Sequence, residues 1–203
     1  MPVDLPDDAP GDPAGRPSLY RLAWTFYLVL AIAGVIWIGS SQGSIPLALF
    51  LDPASWWVDA GLGLAGGLAL VTLWDLGRRF VPAMRQLEDL LAGHLGPLDA
   101  SEAFALALIS GFAEEVFFRG AVQTSWGFFW ATAIFTLMHS GSERVLRWWT
   151  LFAFAAALVF GGLTLYRGSI LAAVVAHVVV NAVNLRRLAA RRLVSEEGNS
   201  GTA

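Results

Sequence analysis

"GFAEEVFFRG", residues 111 to 120, sets Glu114, Glu115 and Arg119 inside an apolar run. The residues before it, "SEAFALALIS", and the "AV" after it extend the run to Ser101–Val122. That is about the 20 residues a membrane-crossing helix needs. Ionisable groups are costly in such a setting and mark function by default. The same ten residues therefore raise the question of fold and the question of chemistry. Five more apolar segments lie around this one: Leu19–Ile38, Trp56–Leu76, Trp126–His139, Trp148–Tyr166 and Ser169–Leu185. The one ending at His139 is the shortest.

Composition agrees with a bilayer setting. Of 203 residues, 56% are hydrophobic and only 14% charged, against roughly 25% charged in soluble domains. The expected fold is an all-α polytopic integral membrane bundle of about six transmembrane helices, with membrane lipids as its partners. A different pattern appears in "RRFVPAMRQLEDLLAGHL", where Phe80, Met84, Leu87 and Leu91 recur at helical spacing between charges. It reads as an amphipathic helix lying in the interface plane, with His94 a solvated surface residue. No cysteine is present, which excludes disulfides and thiolate chemistry. The net charge of −3 and the lack of a basic block argue against nucleic acid. Nothing in the sequence signals an oligomeric state.

Residues 1–17, "MPVDLPDDAPGDPAGRP", read as a disordered tail without the positive start of a signal peptide. Residues 18–193 form the transmembrane domain, with a motif-bearing core over 101–185. Residues 194–203 read as a second tail. With six crossings and the N-terminus inside, 11 of the 13 arginines fall on inner segments, while Arg167 is outer and Arg119 lies within a span. Both termini are therefore expected on the cytoplasmic side of the cell membrane.

Glu115 and Arg119 are four apart, so they share a helix face and can pair. Glu114 points about 100° away. An unpaired carboxylate in an apolar setting suits a general base. His139 closes one span in "FTLMH", and His177 and Asn181 share a face of another in "HVVVN". Glu114 and His177 each lie nine residues in from the turns near Gln123 and Gly168, roughly 13 Å at about 1.5 Å per residue. His139 and Asn181 come out deeper, at roughly 20 Å. Tilt and side-chain reach bridge that spread, so one polar cluster drawn from three spans is feasible.

These strings also fit EExxxR, FxxxH and HxxxN, in that order on separate apolar segments. In this the chain resembles the CPBP family of intramembrane proteases. That family includes the CAAX prenyl endopeptidases and bacterial proteins linked to bacteriocin self-immunity. The resemblance implies hydrolysis of peptide bonds in membrane-associated protein or peptide substrates. It implies that Glu114 takes a proton from water, that His139 helps hold the water, and that His177 and Asn181 stabilise the oxyanion. Glu115 and Arg119 would organise the site from behind. The residues alone leave other readings open. Glu114, His139 and His177 are also the donor set of a His₂Glu zinc site, although no HExxH spacing supports the metal. Buried Glu and His recur in transporters and proton relays, and a non-catalytic membrane scaffold is the third alternative.

Overall fold

A computed structural model describes residues 19–94 and 98–200 of the chain. The expected N-terminal tail and residues 201–203 lie outside the described residues. Within them the chain is helical throughout, with no strand. The first span forms α1 (Leu19–Gln42). A single turn, α2 (Leu47–Phe50), precedes the long α3 (Trp56–Phe80). Val81 breaks the helix, and Pro82 opens α4 (Pro82–His94) at the position where a missing N–H costs nothing. Helix α5 (Ala100–Glu115) starts on a capping box. Asp99 accepts from the N–H groups of Ser101 and Glu102, and the Glu102 side chain reaches back to the Asp99 N–H.

After Glu115 the helix continues without a break but widens into a π-helix, Val116–Gln123, before one short α turn, α6 (Thr124–Trp126). Gly127, at φ 89°, turns the chain into α7 (Phe128–Met138). Helices α8 (Leu146–Arg167) and α9 (Leu171–Ser200) follow. Residues 194–200, read from sequence as the start of a tail, continue α9. Their Glu196 and Glu197 follow a run of Ala, Leu and Arg, all good helix formers.

All six apolar segments are helices. Four of them, Tyr20–Gln42, Trp56–Phe80, Leu146–Arg167 and Leu171–Arg191, are each long and apolar enough to cross a membrane. The α5–π–α6 run has the length but carries Glu102, Glu114, Glu115 and Arg119. Helix α7 has 11 residues, about 16 Å, roughly half a bilayer core. Large side chains such as Val29, Ile36, Trp57 and Phe129 stand exposed around the bundle, as lipid-facing surfaces do. The architecture is that of a polytopic helical membrane bundle.

Helix α9 is its axis, packed against α3, α4, α5 and α8. The main core gathers Leu70, Val71 and Trp74 of α3, Leu87 of α4, Phe152 and Phe160 of α8, and Ala173, Ala176 and Val180 of α9. Helix α3 approaches α9 closely because it has glycines at the crossing. A Cβ on Gly63 would stand 2.5 Å from the Ala172 carbonyl, and one on Gly67 would stand 2.8 Å from both the Ala176 carbonyl and Val179 Cβ. This is the small-xxx-small contact that lets membrane helices gain van der Waals energy. Gly61, Gly63 and Gly66 also have the spacing of a dinucleotide-binding turn. They sit in mid-helix with no strand before them among the described residues, which removes that reading.

Helix α4 is held by polar contacts as well as by its apolar face. Buried Glu88 accepts from Trp74 Nε1 at 2.8 Å and pairs with Arg191 at 2.6 Å. Met84 and Leu87 are buried as the periodicity predicts, while Phe80 is exposed.

Candidate active site

Glu114, His139, His177 and Asn181 all line one cavity of about 200 Å³. It is walled by Leu106 and Ser110 of α5, Phe135 of α7, Phe152 and Phe160 of α8, and Tyr27 of α1. Helix α5, which supplies Glu114, packs on α9, which supplies His177 and Asn181, while α7, which ends at the His139 turn, packs on α8 and the π-helix.

Glu114 and His139 face each other. The closest approach is 3.7 Å, from Glu114 Oε2 to His139 Nε2, too long for a direct hydrogen bond. Glu114 is buried at 7% exposure, and its Oε2 has no hydrogen-bond partner among the described residues. On the other side of the imidazole, Nδ1 lies 2.8 Å from the Phe135 carbonyl. A carbonyl only accepts, so Nδ1 carries a proton; in a neutral ring Nε2 would then be an acceptor facing Glu114. The ring is stacked on Phe135 at 4.3 Å, which fixes its plane. The Tyr27 hydroxyl lies beside Glu114.

His177 takes the other glutamate. Its Nδ1 donates to Glu115 Oε1 at 2.7 Å, and its ring stacks on Phe160. Glu115 is fully buried and also holds Arg119, through Nη1 at 3.3 Å and Nε at 3.2 Å. Arg119 Nη2 donates to the Ala157 carbonyl of α8 at 3.2 Å, and its guanidinium lies over Phe135. One helical position on, Gln123 donates to the Gly161 carbonyl. The π-helix thus ties itself to the backbone of α8 at two points. Buried charges persist when they are paired, and Glu115, Arg119 and His177 form such a group, with Glu115 Oε2 and Arg119 Nε in ion-pair contact but without a hydrogen bond among the described residues. Asn181 Nδ2 donates to Ser110 Oγ at 2.9 Å, which leaves its second N–H and its carbonyl oxygen toward the cavity.

The expected Glu115–Arg119 pair is present, and Glu115 has a second partner, His177, that spacing did not reveal. The four candidate residues share one cavity but divide between the two glutamates: His139 stands across from Glu114, and His177 is held by Glu115. Sequence reasoning also missed Tyr27 and Ser110, single polar residues in apolar helices without a motif. The π-helix left no readable signal. As to a metal, no three His, Cys, Asp or Glu side chains among the described residues converge as a metal would require, so Glu114, His139 and His177 do not form a ready zinc site, although Nδ1 of each ring is engaged by a carbonyl or carboxylate and Nε2 is left free. Gly39 to Gly43 spells Gly-x-Ser-x-Gly, the pattern around some nucleophilic serines. Here it ends α1, with Ser41 donating to the Ile38 carbonyl, and contributes nothing to the cavity.

Comparison with known proteins bears on the same region. Residues 97–183 match the family described as type II CAAX prenyl endopeptidase Rce1-like, which covers all three motifs and bears out the resemblance they carry. The uncharacterized protein YpbD of Bacillus subtilis (strain 168) is 36% identical over 80 residues, 38% of this chain and 41% of that protein. The matched stretch is thus less than half of the relative's length. No solved structure gives a significant match.

Proposed function

Residues 97–183 being Rce1-like, we propose that the chain is an intramembrane endopeptidase that cuts membrane-associated protein or peptide substrates with a water activated by Glu114 and His139. One observation carries this reading: Glu114 Oε2, buried, and Nε2 of the part-buried His139 ring face each other across 3.7 Å in a cavity, and with the ring neutral both are acceptors. A single water satisfies both by donating one hydrogen to each, with its lone pairs toward a bound carbonyl.

Glu114 takes one proton as the water oxygen bonds to the carbonyl carbon, and the carbonyl electrons move onto its oxygen. That oxyanion needs donors already in place. Asn181 offers its free N–H. His177 offers Nε2–H only as the doubly protonated ring, because Nδ1–H is committed to Glu115. The tetrahedral carbon then expels the amide nitrogen, and Glu114 returns its proton to that leaving nitrogen. Glu115 and Arg119 hold His177 in position and do not touch the reacting atoms. The cavity wall is largely apolar, with Trp74, Leu91, Phe152 and Leu188 around it, which suits a substrate segment with apolar side chains. The arginine distribution supports both termini on the cytoplasmic side, with the cavity between mid-bilayer and the cytoplasmic half.

The reading is tested with purified full-length protein in lipid and a library of membrane-anchored peptides, in heavy-oxygen water. Wild type is expected to release products carrying one heavy oxygen in the new carboxyl group. Cleavage without label contradicts water as the nucleophile, and no cleavage of any peptide contradicts the reading and favours the relay or scaffold. Activity is expected to survive exhaustive chelation at an unchanged rate. A rate lost to the chelator and restored by Zn²⁺ would overturn the direct role of Glu114.

A further inference from the structure

A second concavity, of about 440 Å³, lies at the end of α3 away from the glycine crossing. Its lining is Thr72, Asp75, Leu76, Arg78, Arg79 and Arg85. Three guanidiniums therefore meet one carboxylate and one hydroxyl. The carboxylate is already compensated: Asp75 takes Arg78 Nε at 2.9 Å and Arg187 through two bonds at 2.8 and 3.0 Å. Arg79 and Arg85 have no carboxylate partner among the described residues, and the Arg79 guanidinium lies over the Phe80 ring. Thr72 spends its hydroxyl hydrogen on the Leu68 carbonyl and keeps its lone pairs.

The position in the fold says what such a site meets. Trp56–Phe80 is 25 residues and long enough to cross a membrane, so its final turn stands at headgroup level. Leu76 and Phe80 are exposed beside the arginines, apolar groups next to charge as the boundary requires. Helix α4 then turns back and brings Arg85 to the same concavity. A basic recess at this depth fits the headgroup phosphate of an anionic lipid, and a guanidinium fork matches phosphate oxygens in pairs.

We propose that Arg79 and Arg85, with Arg78 at their side, bind the phosphate of an anionic phospholipid. This site is separate from the cavity of Glu114 and needs no substrate for its test. Native mass spectrometry of the delipidated full chain is run with phosphatidylglycerol, with phosphatidylcholine and with inorganic phosphate. Wild type is expected to keep one phosphatidylglycerol under conditions that strip phosphatidylcholine. Arg79→Gln combined with Arg85→Gln should weaken that retention about tenfold. Arg144→Gln with Arg147→Gln, an equal loss of charge elsewhere, should leave it unchanged. Three results would overturn the proposal: equal retention by the Arg79/Arg85 variant, equal loss in the control, or inorganic phosphate displacing the lipid at matching concentration. On unaltered protein, phosphatidylglycerol vesicles should slow arginine-specific labelling of Arg79 and Arg85 where phosphatidylcholine vesicles do not, and equal labelling in both would also end the idea.

Discussion

Glu114 and Glu115 are neighbours in the chain with different partners. Glu115 lies between Arg119 and His177, and all three are buried. Glu115→Gln removes the only carboxylate that Arg119 contacts in an ion pair among the described residues. Stranding a buried cation in this way costs about 3–5 kcal/mol, so thermal unfolding in detergent should fall sharply. Adding Arg119→Gln should recover part of the loss, since no charge is then left alone. An unchanged unfolding temperature for Glu115→Gln would show that the group does not hold the fold. Spacing made the Glu115–Arg119 contact legible, because four residues in a helix return to one face. It did not show that His177 belongs to Glu115. That assignment depends on how α5 lies against α9, a packing fact that no single helix encodes. Tyr27 escaped for the same reason. A tyrosine in an apolar helix acquires meaning only when α1 brings it to Glu114.

Element by element, the chemistry depends on helices that approach closely. Gly67→Leu would push a Cβ into the Ala176 carbonyl and Val179, and overpacking of this kind costs about 1–3 kcal/mol. The expected result is a lowered unfolding temperature and a displaced α9, read as weakened activity with Glu114 untouched. A variant as stable and active as wild type would show that the crossing is looser than described. At the start of α5, Asp99 accepts from Ser101, which holds its carboxyl below the usual range, helped by the Glu102 N–H. A depressed carboxyl lends stability that is present above its unfolded value and lost as pH falls through its folded value. Asp99→Asn keeps a cap but has no charge to lose. The difference in unfolding temperature between wild type and Asp99→Asn should therefore shrink as pH is lowered through the acid range. The π-helix left no mark in the sequence. "VFFRGAVQ" has no proline or insertion signal, and the widening shows only against α8, where Arg119 and Gln123 reach the Ala157 and Gly161 carbonyls.

For the molecule as a whole, composition and apolar run length were enough to read a helical membrane bundle, since a bilayer admits little else. Depth was harder to read. The 11-residue α7 is about half a bilayer core long, and its place depends on packing against α8 and the π-helix. The arginine distribution predicts that reporters fused at the C-terminus and inserted near Ser142 will both report the cytoplasmic side. Opposite sides for the two would break the six-crossing topology and the placement of the cavity with it.

The account depends most on Glu114 as the base. The deciding measurement is the single-turnover cleavage rate of Glu114→Gln against wild type, on the best peptide of the library, with both proteins shown to fold alike. Glutamine keeps the size and the hydrogen-bonding shape but cannot take the proton. The account predicts a rate lower by about 10²–10⁴, the usual worth of a general base, with peptide binding retained. A Glu114→Gln protein that cleaves at the wild-type rate would contradict it.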